Sequence, residues 1–296
     1  MKQQRVAIIV LNYNNAEDTI ECLSSISRLT YENFHTIVVD NHSTDDSIRV
    51  LQREVPSIDL MLSMVNGGYA YGNNLAIKKA QEEKYDYVCI LNNDVIVEPD
   101  FLNQLVAYGD EHPEAGVIGP RICEYEDDRL IESAGSTVNM NLGKVTRLFH
   151  KEKEETVNGK IIPCDYIGGA CMLVRMEAIN KVGDIPEDYF LFYEENEWCL
   201  KIKQAGFDVV CVADAKVIHK GSASINKVSG LSEYFMYRNL VVFIRRNGTA
   251  LNKMIFYPYI VLFSLKSGIT KKNGWRFGHY FWDGMVNKNK YQDLKG

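Results

Sequence analysis

Polar side chains able to hold a ligand gather at four places in this sequence, and three of them close an apolar run. Leu11-Asn12-Tyr13-Asn14-Asn15 follows the first run, and Asp40-Asn41-His42-Ser43-Thr44-Asp45-Asp46 follows the second. Leu91-Asn92-Asn93-Asp94 closes a later one. A carboxylate such as Asp40 at the end of a buried strand needs partners, because burial without them is costly. It can accept hydrogen bonds from a base imide or a ribose hydroxyl, whereas Asp45 and Asp46 read as helix caps. Asp94 has the chemistry of a ligand for a divalent cation, Mn2+ or Mg2+. Such an ion needs only one or two protein oxygens when phosphates supply the rest. Asn92 and Asn93 offer neutral contacts beside it, although turns also use Asn-Asn-Asp.

The fourth place is Glu194-Glu195-Asn196, after the aromatic run Phe190-Leu191-Phe192-Tyr193. Adjacent carboxylates at a helix start are stabilised as anions, so a low pKa is expected there, with Asn196 available as a cap. One glutamate can serve the helix while the other works as a general base, and the spacing leaves open which does which. His219 follows the apolar Lys216-Val217-Ile218 and is either a structural histidine or a further metal ligand.

These residues need elements to carry them. Val6 to Leu11 reads as a strand buried on both faces, followed by a helix that Asn14-Asn15 opens. Thr36 to Asp40, Ile58 to Met64 and Tyr87 to Leu91 read as further strands. A helix is expected from Asn73 to Glu82, behind the turn Asn66-Gly67-Gly68-Tyr69. Strand and helix in alternation call for right-handed crossovers and a parallel sheet, with ligands beyond the carboxyl ends of the strands. Later expectations are a short strand at Gly116–Gly119 and hairpins at Asn141-Leu142-Gly143 and Asn158-Gly159. Strands at Val209–Val212 and Lys216–Ile218 complete the reading.

The seven cysteines form no CxxC pair and sit mostly in apolar runs, as reduced core thiols do. Val6 to Leu11 is too short for a signal-peptide core. The expectation is a cytoplasmic protein, working at the inner face of the plasma membrane if its tail meets lipid. The net charge of −6 is uneven: residues 238–296 hold 11 basic residues against Asp283 and Asp293, or +9, which leaves −15 elsewhere. That tail, with Met254 to Ser264 too short to span a bilayer, suits an anionic lipid surface, a core-completing helix or a dimer contact.

Taken together, the clusters resemble glycosyltransferase family 2, the inverting transferases of GT-A fold, and most of all its rhamnosyltransferase-like branch. The matching residues are Ile9 to Asn15, Val38 to Ser47, Asn66 to Asn74, Leu91 to Asp94, Gly168 to Val174, Phe192 to Glu195 and His219 to Ser224. The resemblance implies an α/β fold, with a Rossmann-like nucleotide-binding domain, a mostly parallel sheet and a helical basic C-terminal tail. Residues 1–236 would form the GT-A domain, as a donor half (1–120) and an acceptor half (121–236), with 237–296 as the extension.

By the same resemblance, Asn12, Asp40, Asn66, Gly67, Gly68, Asn73, Asn92 and Asn93 would contact a nucleotide-sugar donor. Asp94 stands at the retained carboxylate of an Asp-x-Asp motif, His219 at a histidine that ligates the metal in some relatives, and Glu194-Glu195 at a Glu-Asp pair whose second member is the base. The implied reaction moves one sugar from dTDP-rhamnose or a UDP-sugar to a glycan or polyprenyl-linked acceptor, in bacterial surface polysaccharide synthesis. The Gln-x-x-Arg-Trp signature of processive synthases is absent, and no nucleic-acid partner is expected. A nucleotidyltransferase would show a Gly-rich basic loop where Asn12 to Asn15 stands. A non-catalytic sugar-nucleotide-binding module would explain Asp40 and Asp94 but leave Glu194, Glu195 and His219 idle, and a membrane-surface scaffold would use the basic tail as its interaction element.

Overall fold

The computed structural model describes residues 3–221 and 230–291. Ser222-Ala223-Ser224 of the His219 motif, and Asp293 and Lys295 of the basic tail, lie outside the described residues.

Strands β1 (Val6–Asn12), β2 (Phe34–Asp40), β3 (Asp59–Leu62) and β4 (Tyr87–Asn92) lie parallel, joined through helices α1 (Ala16–Ile26), α2 (Ser47–Glu54) and α3 (Gly68–Glu82). β1 is buried on both faces, which is why it reads as unbroken apolar sequence. Ala7 and Ile9 belong to one core cluster, while Val6, Ile8 and Val10 belong to the other. Helix α3 starts at Gly68, five residues before the expected Asn73. Asn66 explains the early start, because its side-chain oxygen accepts the Gly68 N–H at 3.2 Å.

The second half continues with β5 (Val95–Val97), α4 (Phe101–Glu111), β6 (Ala115–Glu124), β7 (Ile131–Ser133), β8 (Ser136–Asn139) and β9 (Lys144–Arg147). Asn141-Leu142-Gly143 turns the β8–β9 hairpin as expected. Asn158-Gly159 does not turn a hairpin. The Gly159 N–H donates to Asp214 at 2.7 Å and leads the chain into β10 (Ile161–Pro163), which pairs with a distant strand instead. That partner is β12 (Asp208–His219), one strand where two were expected, with a register irregularity between Val212 and Lys216. Before it come β11 (Cys171–Arg175), α5 (Met176–Val182) and α6 (Glu194–Gln204).

The ten-stranded sheet runs β10-β12-β6-β11-β4-β1-β2-β3 along its main path. It is parallel from β4 to β3 and mixed beyond, because β11 lies antiparallel to both β4 and β6. Helices α7 (Leu231–Asn247), α8 (Ala250–Thr270) and α9 (Arg276–Met285) form the tail. Phe243, Phe256, Phe277 and Phe281 pack there with Tyr189 and Tyr193 of the segment before and at the start of α6. The boundary expected at 236–237 therefore falls inside α7, which is built into the body. All seven cysteines are buried and unpaired.

Candidate active site

The parallel register β1–β2 sets Asn12 beside Asp40. The Asn12 amide donates to one Asp40 oxygen at 2.7 Å, and the Ser43 N–H donates to the other at 2.8 Å. The Asn12 side-chain oxygen in turn accepts the Thr19 hydroxyl at 2.8 Å. Asp40 is only 1% exposed, so this corner ties two strand ends and a loop together before any ligand arrives. Asn93 also bonds inward, to the Asn15 carbonyl at 3.2 Å and the Thr19 hydroxyl at 3.0 Å.

The remaining residues expected on the donor side divide. Asn92 lines a cavity, described below, whereas Asn66, Gly67, Gly68 and Asn73 do not line it. Asn73 is fully buried, and its amide donates to the Tyr69 carbonyl one turn back. Gly68 has φ +86°, and a Cβ there would lie 2.3 Å from the Phe190 carbonyl oxygen. Its glycine is required by close packing of α3 on the aromatic loop.

Asp94 and His219 are joined by topology. β5 runs antiparallel to β12 with Val95 opposite His219, and the Lys220 N–H donates to the Asp94 carbonyl at 3.0 Å. His219 Nε2 then lies 3.4 Å from Asp94 Oδ1, and both atoms are buried without a hydrogen-bond partner. The opposite ring nitrogen, Nδ1, bonds Glu132 on β7 at 2.8 Å. Desolvation opposes charge on the ring, but the flanking Asp94 and Glu132 carboxylates outweigh it and push the His219 pKa up to about 9. At neutral pH the protonated ring pairs with Asp94; once it gives up that proton, the Asp94 oxygen and the facing imidazole nitrogen, with a carboxylate behind the ring, form a donor set that fits a divalent cation. Among the described residues, no group of three or more His, Cys, Asp or Glu forms a complete protein cage. Further ligands to a cation here would have to come from phosphate or water.

Glu194 and Glu195 open α6, whose N-cap is Tyr193. No side chain caps this helix. Asn196 lies inside it with its amide nitrogen buried and unpartnered, contrary to the capping role expected of it. The approach to the helix is strained: Phe190, Phe192 and Tyr193 all have positive φ, at 70°, 66° and 76°. Left-handed backbone costs about 1–2 kcal/mol per non-glycine residue, so something must hold it. Asn239 of α7 does so, its amide donating to the carbonyls of Tyr189, Leu191 and Phe192 at 3.0, 2.7 and 3.1 Å. Glu197 adds a second tie between the helices, pairing with Arg246 at 2.9 Å and accepting from Asn247 at 3.1 Å.

The glutamates do not have the low pKa expected of a helix N-terminus. Burial, and then the neighbouring Glu195, raises Glu194 well above the usual carboxylate range. Burial pushes Glu195 up to about 7, against hydrogen bonds from its own amide and that of Gly169. Desolvation here exceeds the helix-end field, which is worth at most about 2 kcal/mol. One oxygen of each carboxylate, Oε2, has no partner.

Two cavities meet at this point. One, of about 270 Å³, is lined by Asn92, Glu132, Gly169, Glu194, Glu195 and His219 among others. The second, of about 440 Å³, has Glu195, Lys144, Tyr193, Leu240, Ile260 and Phe263 in its wall. Glu195, Arg147, Tyr166, Phe192 and Met236 belong to both, whereas Glu194 faces only the first. Sequence reasoning missed Glu132, Arg147, Tyr166 and Asn239. Only Asn239 carried a signal: an amide amid Leu240-Val241-Val242-Phe243 must be buried and must find partners.

The chain is similar to known proteins in sequence and in fold. The sequence model of the family described as Glycosyl transferase family 2 matches residues 7–183. The low-salt glycan biosynthesis hexosyltransferase Agl10 of Haloferax volcanii is 25% identical over 238 residues, 79% of this chain and 73% of that protein. The N-acetylglucosaminyl-diphospho-decaprenol L-rhamnosyltransferase of Mycobacterium tuberculosis is 25% identical over 241 residues, 74% of this chain and 77% of its own length. Among solved structures, the mannosyltransferase PcManGT of Pyrobaculum calidifontis, in complex with GDP-Man and Mn2+, superposes with a TM-score of 0.58 at 17% identity, covering 99% of this chain and 89% of that one.

Proposed function

The chain belongs to glycosyltransferase family 2, and from that premise we propose that it moves one sugar, with inversion, from a nucleotide diphosphate sugar to a lipid-linked glycan acceptor, with Glu195 as the general base. It is a glycosyltransferase. The observation that carries the finer reading is the position of Glu195, which lines both cavities and keeps one buried oxygen without a partner. The smaller cavity holds the donor side, since it contains Asn92 and His219. The larger one takes the acceptor.

Asp94 and His219 would hold a Mn2+ or Mg2+ ion, which when bound offsets the negative charge of a diphosphate. Glu132 keeps the His219 ring turned so that Nε2 faces Asp94. Asn12 and Asp40 shape the loop beneath the nucleotide, and Asn92 borders the sugar side. Gly68 lets α3 approach the loop that presents Glu195, while Gly67 makes room for the Tyr71 ring of the same helix. Glu195 takes the proton from an acceptor hydroxyl as its oxygen attacks the anomeric carbon. The bond from that carbon to the diphosphate breaks, and the nucleoside diphosphate leaves. A single displacement inverts the anomeric centre. A carboxylate titrating near 7 matches the work of accepting a hydroxyl proton at neutral pH better than one of ordinary acidity.

The larger cavity is lined by the apolar Tyr193, Leu240, Ile260 and Phe263 and also by the cations Lys144 and Arg147, which suits an acceptor with a lipid and a diphosphate. The Mycobacterium tuberculosis relative, by its name, acts on such a diphospho-lipid and transfers L-rhamnose. A dTDP- or UDP-linked hexose is the donor class proposed for this chain, in bacterial surface polysaccharide synthesis at the inner face of the plasma membrane. The test is a thermal-shift panel of dTDP-, UDP- and GDP-sugars with Mn2+ or Mg2+, followed by product analysis with the donor that binds. A product that keeps the anomeric configuration of its donor would refute the single displacement.

A further inference from the structure

Helix α8 divides its apolar residues between two faces. Phe256, Ile260 and Ser267 point inward and are buried. Leu251, Met254, Val261, Leu262, Leu265 and Ile269 fall on the opposite side at helical spacing and are 46–80% exposed. That outer stripe is ~27 Å long at 1.5 Å per residue. It continues onto α9, where Trp282 is 66% exposed, and a shallow apolar groove of about 270 Å³ runs between the two helices past Val261, Leu265 and Trp282. An outward apolar surface of this extent calls for an occupant.

We propose that the outer face of α8, with Trp282, is a docking surface for an anionic lipid bilayer. Charge selects this occupant. Helix α8 carries Lys253 and Lys266 and no acidic residue, and Lys271 and Lys272 follow it directly. A second copy packed on the same stripe would bring a further set of lysines to this basic face, with no acidic residue on α8 to receive them. An anionic surface is attracted by them while the acidic remainder of the chain is repelled, which turns the tail toward the lipid. Indole at the edge of the stripe suits the headgroup boundary. No helix among the described residues is long and apolar enough to cross a membrane, so the contact is interfacial. The inward face of α8 meanwhile supplies Ile260 to the larger cavity, so docking sets that cavity beside the lipid phase.

The test is co-sedimentation of the full chain with phosphatidylcholine vesicles, with and without phosphatidylglycerol. The wild type is expected to bind the anionic vesicles, and to bind less on neutral vesicles or in high salt. Leu262→Glu with Ile269→Glu should lower partitioning at least about tenfold. Lys266→Glu with Lys272→Glu, which leaves the stripe intact, should weaken binding only to anionic vesicles. Vesicle binding unchanged in Leu262→Glu/Ile269→Glu overturns the proposal, as does a wild type that binds neither vesicle. So does a dimer in analytical ultracentrifugation that those substitutions disperse while vesicle binding persists. The substituted residues line neither the donor nor the acceptor cavity, so transfer to a water-soluble acceptor should be unchanged. Binding to vesicles without any sugar transfer would instead overturn the functional reading and leave the docking surface standing.

Discussion

Two buried acidic sites in this molecule have opposite hydrogen-bond balances. At the β1–β2 corner, Asp40 has both oxygens engaged, by Asn12 and by the Ser43 amide. At the start of α6, Glu194 and Glu195 each keep an oxygen without a partner, on a loop with three left-handed non-glycine residues. Asp94 Oδ1 and His219 Nε2 also lack a hydrogen bond, although they face each other as an ion pair at 3.4 Å. A satisfied carboxylate has reached its energy minimum and serves the architecture. An unsatisfied one is held by the rest of the fold at a cost, and can lower its energy by taking up a proton, a cation or a substrate.

Breaking the unsatisfied site should have the largest effect. Glu195→Gln is expected to lower kcat by roughly 10³-fold while donor affinity stays within about threefold of wild type, read by steady-state transfer and calorimetric donor binding. Full activity in that variant would remove the base assignment. Asp94→Ala should cost roughly 10²–10³-fold in kcat/KM and abolish the Mn2+-dependent part of a donor-induced thermal shift. A shift that persists unchanged would place the cation elsewhere.

Asn239→Leu probes the clamp rather than the chemistry. With the three carbonyls released, kcat is expected to fall roughly 10–100-fold with donor affinity nearly intact, because a small misplacement of Glu195 suffices. Restoring an amide with Asn239→Gln should recover part of the rate, which general loss of packing would not explain. At the satisfied corner, Asp40→Asn should instead cost about 1–3 kcal/mol of stability in urea unfolding, because asparagine keeps one acceptor oxygen and leaves either the Ser43 N–H or the Asn12 amide facing an NH2 group. Lost donor binding with unchanged stability would reverse the contrast and make Asp40 a ligand.

A last test separates the two sites by pH. The Glu195 pKa in the folded chain, about 7, lies above that of a free glutamate. Its protonated form is therefore favoured by folding, so this contribution is complete below about pH 4.5 and is lost as pH rises through 7. Glu195→Gln should match the wild type at low pH and be more stable at pH 8, by up to about 3 kcal/mol. Activity runs the opposite way, since kcat/KM should climb with pH through about 7. A flat profile across that range would show that another group takes the proton.

The short polar cluster after β4 and the Glu pair at α6 were readable because strands and helices end at recognisable residues. Asp94 had to sit at a strand terminus, whatever the rest of the chain did, and the apolar runs of β1, β2 and β4 required a parallel sheet. The partial reading of the acceptor half has an equally physical cause. Residues 124–163 hold strands of only three or four residues, too short to show a period of their own: the β8–β9 hairpin was legible from its turn, whereas β10 is stabilised by the distant β12.

The sequence by itself determined which types of group are present and that they lie at element ends, because local periodicity and capping encode both. It could not choose between Glu194 and Glu195, nor give their pKa, because burial and the shape of two cavities depend on every neighbour. Glu132 reaches His219 across 87 residues of chain, and Asn239 reaches the loop before Glu194 from a tail helix. Only tertiary structure could decide those contacts, since they arise where segments far apart in sequence are forced to share one interior.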